Sequence, residues 1–145
     1  MSVEMYLSDM SFHKFLPDLQ SNRYGHSCGS FGTQLVVAGG FLDRSFPVAE
    51  TNTVEVLDLA SGEGWKHLPN LPFRLRYAVM INVMGKLILV GGQILEDTGV
   101  QSISSYHNTS IMVNQKFERL ENVGLSKPRF YYNAISLNVK DLCQD

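Results

Sequence analysis

Arginine is the residue type in this sequence whose spacing points most directly to chemistry. Arg23, Arg76 and Arg129 recur at intervals of 53 residues, each followed by an aromatic residue, whereas Arg44 and Arg74 do not repeat. A guanidinium group is planar and donates two parallel hydrogen bonds to one carboxylate. These five arginines are therefore candidate residues for binding a carboxylate.

The periodic and the non-periodic arginines differ in what they predict. Residues that return with every repeat are expected to pack the repeat, so Arg23, Arg76 and Arg129 are predicted to share a packing role. The same reasoning assigns the aromatic residues that follow them (Tyr24, Tyr77 and Phe130) to the core. Arg44 and Arg74 are the better candidates for recognition of a partner.

Other side chains with catalytic or metal-binding potential are scattered. His13, His26, His67 and His107 are widely spaced, and none has a second histidine or a cysteine at metal-ligand spacing. Cys28 lies among small residues and is predicted to be packed rather than reactive. No nucleophile elbow, phosphate loop or paired-carboxylate motif occurs. We therefore predict no catalytic residue, no metal and no cofactor, and expect that the chain is not an enzyme.

Composition excludes other classes of partner. The net charge is −2 and the basic residues are dispersed, which disfavours nucleic acid as a partner. Apolar runs such as Leu87 to Val90 are too short to cross a bilayer, and the first residues do not resemble a secretory signal. Two cysteines are too few for a disulfide framework, so a reducing, cytoplasmic location is expected.

A repeat of about 52 residues organises the chain. The pair Gly39-Gly40 recurs as Gly91-Gly92, and Trp65 is matched by Phe117, 25 residues after the second glycine in both copies. Leu16-Pro17 recurs as Leu68-Pro69 at the same interval. Such a period indicates a supersecondary unit stacked on copies of itself.

Each period is predicted to contain four short strands. The second strand is a continuous apolar run ending at the glycine pair, as in a strand buried on both faces. Long segments, 41–52 and 93–105, separate the second and third strands, and no stretch shows a helical period, so the chain is predicted to be all-β. The predicted strands are 25–31, 35–38, 53–58 and 65–68 in the first copy, 78–83, 87–90, 110–114 and 117–120 in the second, and 132–137 in a third.

An apolar run, a glycine pair, an aromatic residue, a Leu-Pro turn and an arginine, in this order, resemble the Kelch repeat. The resemblance implies a Kelch-type β-propeller of four-stranded antiparallel blades. In that fold Gly39, Gly40, Gly91 and Gly92 are structural, and Trp65 and Phe117 pack between blades. It also places Arg44 and Glu50 near the face that carries the other arginines.

The repeat divides the chain into parts that do not make a closed ring. Residues 1–21 are predicted to form the third and fourth strands of an incomplete blade, 22–72 the first repeat, 73–124 the second, and 125–145 the start of a truncated third. These parts supply three blades' worth of strands, whereas closed propellers have about four to eight blades. We therefore expect a propeller fragment with exposed blade edges, which would aggregate, fold in part or self-associate; one arrangement is two chains sharing mixed blades in one ring.

The resemblance implies a protein–protein interaction module, and in Kelch-type adaptors arginines on the long loops and strand entrances capture acidic peptides, so an acidic peptide segment is an expected partner. It points to the substrate-binding propeller of Kelch-type ubiquitin-ligase adaptors or to actin-associated Kelch proteins. Two alternatives stay open at this stage: a fragment of a propeller enzyme similar to galactose oxidase or to sialic acid mutarotase, and a truncated product without function.

Overall fold

The computed structural model describes residues 3–6, 13–42, 49–97, 101–105, 108–113, 115–124 and 126–127. These residues form sixteen β-strands and, within the described ranges, no helix, which confirms the all-β prediction. The strands are β1 (Val3–Tyr6), β2 (His13–Leu16), β3 (Arg23–Tyr24), β4 (Ser27–Phe31), β5 (Gln34–Ala38), β6 (Phe41–Leu42), β7 (Ala49–Glu50), β8 (Val54–Asp58), β9 (Lys66–Leu68), β10 (Arg74–Arg76), β11 (Val79–Val83), β12 (Lys86–Val90), β13 (Gln93–Asp97), β14 (Gln101–Ser105), β15 (Asn108–Val113) and β16 (Lys116–Gly124).

Two four-stranded antiparallel sheets form the body of the molecule. Blade 1 has the order β4-β5-β8-β9 and blade 2 the order β11-β12-β15-β16. A two-stranded antiparallel sheet, β1-β2, precedes them. Each full blade is thus the four-stranded sheet that the repeat predicts, with two further strands of the chain between its second and third strands. The predicted strand 132–137 lies outside the described residues.

The long segments between the second and third strands are not plain loops. Two three-stranded sheets are found there, β3-β6-β7 beside blade 1 and β10-β13-β14 beside blade 2. Each consists of the chain entering the first strand, the chain leaving the second strand, and one further strand. The sequence did not predict these sheets. The strands β3, β6, β7 and β10 have only two or three residues, too short a pattern to be distinguished from a loop, and the five-residue strands β13 and β14 lie in a segment that was predicted to be a long connection.

The glycine pairs lie where the main chain leaves the second strand and enters the small sheet. Gly39 and Gly40 have φ of 68° and 93°, and Gly91 and Gly92 have 65° and 98°. A Cβ on Gly40 would lie 2.7 Å from the carbonyl oxygen of Tyr24, so even a methyl group has no space there. The bend therefore requires glycine for its backbone conformation and for the close approach of the neighbouring chain.

Equivalent residues of the two blades are separated in sequence by a number of residues, the offset, that depends on the strand. Ser27 pairs with Ala38 as Val79 pairs with Val90, an offset of 52. The third strand is different: Val54 is the partner of Ala38, whereas Thr109 is the partner of Val90, an offset of 55. Blade 2 has three more residues before its third strand and three fewer in the following hairpin. The prediction of a uniform offset of 52 or 53 is therefore wrong for this strand.

One hydrophobic core lies between blade 1 and blade 2. It joins Val36, Ala38, Val54, Val56 and Leu71 to Leu75, Ala78, Met80, Leu87, Leu89 and Phe117. The first strands of the two blades lie side by side: the Ser27 hydroxyl donates to the Ala78 carbonyl (2.7 Å), and the side chain of Met80 lies against Gly29. The absence of a side chain at Gly29 makes room for the methionine.

A second core lies between blade 1 and the segment that follows β2. Leu16 and Leu19 pack there with Val37, Leu57 and Trp65. The indole N–H of Trp65 donates to the Pro17 carbonyl (2.8 Å), so the tryptophan ties blade 1 to the preceding segment by a hydrogen bond as well as by its ring.

Because the strands are antiparallel, the connections gather at two ends of the blades. The glycine end carries the glycine pairs and the two small sheets. The hairpin end carries the tight turns at Gly32 and Gly85, with Met84 95% exposed.

Candidate functional site

Three of the arginines that were predicted to bind a partner are described, and they lie in different environments at the glycine end. Arg23 is buried, and Arg74 and Arg76 are half-buried on β10. Arg44 and Arg129 lie outside the described residues. The structure therefore describes three of the five candidates. It also brings Glu50 together with Arg76, as expected from the prediction that Glu50 lies near the face that carries the arginines.

Arg23 is at the centre of a closed network. It is 1% exposed and forms an ion pair with Glu55, which is also buried. Its Nη1–H group donates to the carbonyl oxygens of Gly39 and Thr53, both at 3.1 Å, and Nη2–H donates to the Thr53 hydroxyl at 3.0 Å. The other carboxylate oxygen of Glu55 accepts from the Gln20 N–H at 2.8 Å. Arg23 thus ties the glycine bend to the third strand and has no surface to offer a partner.

His26 lies close to this network and is affected by it. Burial lowers its pKa below the usual value, and the positive charge of Arg23 lowers it further, against a smaller opposing effect of a hydrogen bond with the Arg23 backbone. The imidazole is therefore neutral in the folded chain at neutral pH.

Arg23 and Arg76 do not occupy equivalent positions, although the sequence places them one period apart. In the small sheets Tyr24 pairs with Phe41 and Arg76 pairs with Gln93, so Tyr24 is the structural counterpart of Arg76. The counterpart of Arg23 is Leu75, at an offset of 52. The predicted common packing role of Arg23 and Arg76 is therefore wrong, since the Arg-Tyr dipeptide shifts by one residue between the repeats.

A second constellation, which we name the aromatic face, surrounds Phe41. The rings of Tyr24 and Phe41 stack with centroids 4.9 Å apart, and Tyr77 meets Phe41 edge-on at 5.9 Å. The guanidinium of Arg76 lies over the Phe41 ring at 4.8 Å. Ring faces carry negative potential, so this position stabilises the cation. The aromatic face consists of Tyr24, Phe41, Glu50, Arg76 and Tyr77.

Polar partners hold Arg76 in this position. Its Nε–H donates to the side-chain oxygen of Gln93 (3.0 Å), and Nη1 forms an ion pair with Glu50. The side chains of Arg76 and Glu50 are 14% and 9% exposed. The second carboxylate oxygen of Glu50 is buried and has no hydrogen-bond partner within the described part of the chain. Arg76 is thus fixed, and most of its charge is offset by Glu50.

The aromatic face is built across two blades by a backbone lock. The Tyr77 N–H donates to the Gly25 carbonyl (2.8 Å), and both residues have positive φ. A Cβ at Gly25 would lie 2.6 Å from the Tyr77 ring. Glycine at this position lets the tyrosine of the next blade pack directly on the main chain.

Exposure distinguishes the members of the aromatic face. Tyr24 is 45% exposed, so the prediction that it packs in the core is wrong, whereas Tyr77 is half-buried. Phe130 lies outside the described residues. Sequence reasoning missed Phe41 as a member of the aromatic face and Gln93 as a partner of Arg76. Both directly follow a glycine pair, and that spacing could have indicated them.

The remaining predicted residues have structural positions. Trp65 and Phe117 are buried in the two cores. Within the described ranges, no three His, Cys, Asp or Glu residues are grouped so that they could hold a metal ion. None of the described residues belongs to a helix long and apolar enough to span a membrane. Cys28 is exposed, contrary to the prediction that it is packed.

Comparison with known proteins agrees with this architecture. A family model described as the Kelch motif matches residues 22–72. Residues 22–72 therefore resemble a Kelch repeat. The first repeat therefore includes Arg23, the first glycine pair and Trp65, and the aromatic face begins within it.

Solved structures extend the likeness beyond this Kelch repeat. The structure of YjhT, a Kelch-type propeller protein, matches with a TM-score of 0.73 at 16% sequence identity. The match covers 94% of this chain and 42% of YjhT, so the chain spans less than half of that protein's length. At this identity the likeness concerns the fold alone. Among curated proteins, no relative matches this chain.

Proposed function

We propose that this Kelch-type propeller segment is a protein-binding module whose partner docks on the aromatic face. The observation that supports the proposal is the exposed ring of Tyr24, stacked on Phe41 beside a fixed arginine. Tyrosine and arginine are enriched among the residues that dominate the energy of protein interfaces. An aromatic ring held by strands loses little conformational entropy on binding.

The partner we propose is a segment that combines an apolar side chain with acidic residues. The apolar side chain would lie on Tyr24 and Phe41. The carboxylates would bind Arg74 and Arg44, the two candidate arginines that do not recur with the repeat. A single arginine bound to a carboxylate in a bidentate manner contributes about 1.5–3 kcal/mol.

The wider role in this proposal is that of a substrate- or filament-binding propeller. Kelch-type ubiquitin-ligase adaptors and actin-associated Kelch proteins, which are built from the Kelch motif that residues 22–72 match, are the models for it. We place the module in the cytoplasm, since an exposed free thiol such as Cys28 suits a reducing compartment.

A peptide-display experiment tests the proposal. The full chain would be screened against a library of short peptides that are acidic, basic or neutral, each with or without an aromatic residue. Peptides that are both acidic and apolar should be selected, and Tyr24→Ala and Arg74→Ala should each weaken their binding about tenfold. Met84→Ala, at the hairpin end, is the matched control and should leave binding unchanged.

Two outcomes contradict the proposal. One is the selection of peptides without regard to charge. The other is loss of binding in Met84→Ala with Tyr24→Ala unaffected, which would transfer the binding surface to the hairpin end. The melting temperatures of the variants, compared with wild type, separate loss of binding from loss of fold.

A further inference from the structure

Glu50 and Glu55 are both glutamates that pair with an arginine and have a mostly buried side chain, but their carboxylates are satisfied to different degrees. Both oxygens of Glu55 have a donor, one from Arg23 and the other from the Gln20 N–H. Glu50 meets Arg76 through one oxygen, and its other oxygen is buried and has no hydrogen-bond partner among the described residues. A buried oxygen without a donor costs stability. The fold therefore gains less from Glu50 than from Glu55.

The backbone of the fold does not require a glutamate at this position. Phe41 pairs with Glu50 in the small sheet of blade 1, and Gln93 pairs with Ser105 in the small sheet of blade 2. Phe41 and Gln93 each follow a glycine pair directly, so Ser105 has the register position of Glu50. The same small sheet is thus formed with serine in place of glutamate. A residue that the sheet does not need, and that leaves a buried oxygen unpaired, is a candidate for a role in recognition.

Arg76 is held in position by contacts that do not involve Glu50. Its Nε–H donates to the side-chain oxygen of Gln93 (3.0 Å), and its guanidinium lies 4.8 Å from the centroid of the Phe41 ring and 5.7 Å from that of Tyr77. These neighbours are an amide and two aromatic rings, whereas Glu50 supplies a negative charge. A guanidinium fixed by a stacked ring is well suited to bind a carboxylate. In this structure the carboxylate that it binds is the chain's own.

We propose that Glu50 determines the specificity of the aromatic face, because it binds Arg76 in the place that a partner's carboxylate would otherwise take. The face then accepts an apolar side chain beside Phe41 and excludes an acidic one from that place. Acidic side chains of the partner are left to the other arginines of the proposed site. For its partner this inference rests on the protein-binding function proposed above, whereas the carboxylate site at Arg76 does not depend on that function.

Position and charge give Glu50 this effect. The side chains of Glu50 and Arg76 are 9% and 14% exposed, so the pair reaches the surface of the aromatic face and is only partly hydrated. A partner's carboxylate placed beside Phe41 would meet the negative charge of Glu50 and would find Arg76 already paired. Like charges that meet where little water screens them repel strongly, and such repulsion is a source of specificity at interfaces.

The first test measures whether Arg76 binds a free carboxylate once Glu50 is removed. The probe is formate, and sodium chloride at the same ionic strength is the control. In Glu50→Ser, formate should raise the urea midpoint above its value in chloride, because a ligand that binds only the folded chain stabilises it. Wild type should show no such difference. The same holds for Glu50→Ser combined with Arg76→Gln, and for Glu63→Ser, which removes a carboxylate from the exposed pair with Lys66.

The second test measures specificity with two peptides that differ only in charge. Both contain a phenylalanine, flanked by aspartates in one peptide and by asparagines in the other. Glu50→Ser should bind the aspartate peptide about tenfold more tightly than wild type does. Its affinity for the asparagine peptide should stay within about twofold of wild type. Glu50→Gln, which keeps the size of the side chain and removes its charge, should shift the preference in the same direction.

The two tests separate the carboxylate site from its role in specificity. An equal urea midpoint of Glu50→Ser in formate and chloride, or a formate effect that persists after Arg76→Gln, would overturn the carboxylate site. No gain for the aspartate peptide, an equal gain for both peptides, or the same gain in Glu63→Ser would overturn the role of Glu50 in specificity. A wild type that binds neither peptide would contradict the proposed function, and the formate result would still decide the site at Arg76.

Discussion

Blade 2 contains a natural replacement of the buried ion pair of blade 1, and this allows a sharp test of what the pair contributes. The counterpart of Arg23 is Leu75, which is itself buried, and the counterpart of Glu55, in strand register, is Ser110. The substitutions Arg23→Leu and Glu55→Ser therefore copy residues that this fold already accommodates at the same positions.

The expected losses in the free energy of unfolding follow from the hydrogen bonds and the ion pair around Arg23. In Arg23→Leu, Glu55 keeps only the Gln20 N–H among its observed partners and becomes an uncompensated buried charge. In Glu55→Ser, the guanidinium retains the carbonyl oxygens of Gly39 and Thr53 but loses its counter-charge. Each single change should lower the free energy of unfolding by about 3–5 kcal/mol.

The double variant should be much less unstable than the sum of the two single variants. Removing both charges removes the desolvation penalty of each, so a coupling energy of about 2–3 kcal/mol is expected. Urea denaturation of wild type, both single variants and the double variant measures it. The control is the exposed pair Glu63–Lys66, for which the same cycle should give less than about 1 kcal/mol.

One result would refute the energetic coupling of Arg23 and Glu55. If the Arg23–Glu55 cycle is additive within about 0.5 kcal/mol, or no larger than the exposed control, the two side chains are not energetically coupled. The hydrogen bonds of Arg23 to the carbonyl oxygens of Gly39 and Thr53, rather than its ion pair, would then account for its contribution to stability.

Three further predictions concern the lock between blades, the tryptophan and a histidine. Gly25→Ala should destabilise the chain by about 1–3 kcal/mol, because alanine disfavours positive φ and its methyl group meets the Tyr77 ring; a change below about 0.5 kcal/mol in urea denaturation would contradict this. Trp65→Phe should cost about 1–2 kcal/mol by the same assay, since the ring stays apolar while the Pro17 carbonyl loses its donor; an unchanged urea midpoint would speak against that hydrogen bond. The pKa of His26 is lowered in the folded chain, so the unfolded chain binds its proton first, and stability should fall as the pH drops below the ordinary histidine value of about 6.5. Urea midpoints at neutral and mildly acid pH should therefore differ more in wild type than in His26→Asn, and equal differences would exclude this histidine as the cause.

Much of the fold could be predicted from the sequence because its signals are local. Continuous apolar runs and glycine pairs mark the second strands, and the structure ends β5 and β12 directly before Gly39 and Gly91. The period of about 52 residues fixes the existence and order of the blades, because each copy of the repeat forms one unit that stacks on the next. These features depend on backbone conformation and burial, which residue type reports directly.

The equal spacing of the sequence markers concealed how the strands pair. Between Gly40 and Trp65 lie as many residues as between Gly92 and Phe117, yet the third strand is displaced by three residues. A longer segment before that strand and a shorter hairpin after it compensate each other. The spacing of the sequence markers depends only on the summed length of this segment and this hairpin. The cross-strand hydrogen bonds show the length of each.

The candidate site was decided almost entirely by tertiary structure. The sequence by itself determined that arginines gather near the blade entrances, and their period indicated a shared role for Arg23 and Arg76. The fold separates them by a shift of one residue: one pairs with Glu55 in the core, and the other stacks on Phe41 beside Glu50. A shift of one residue along a strand turns a side chain to the opposite face, and only the hydrogen-bond register across the sheet fixes which face that is.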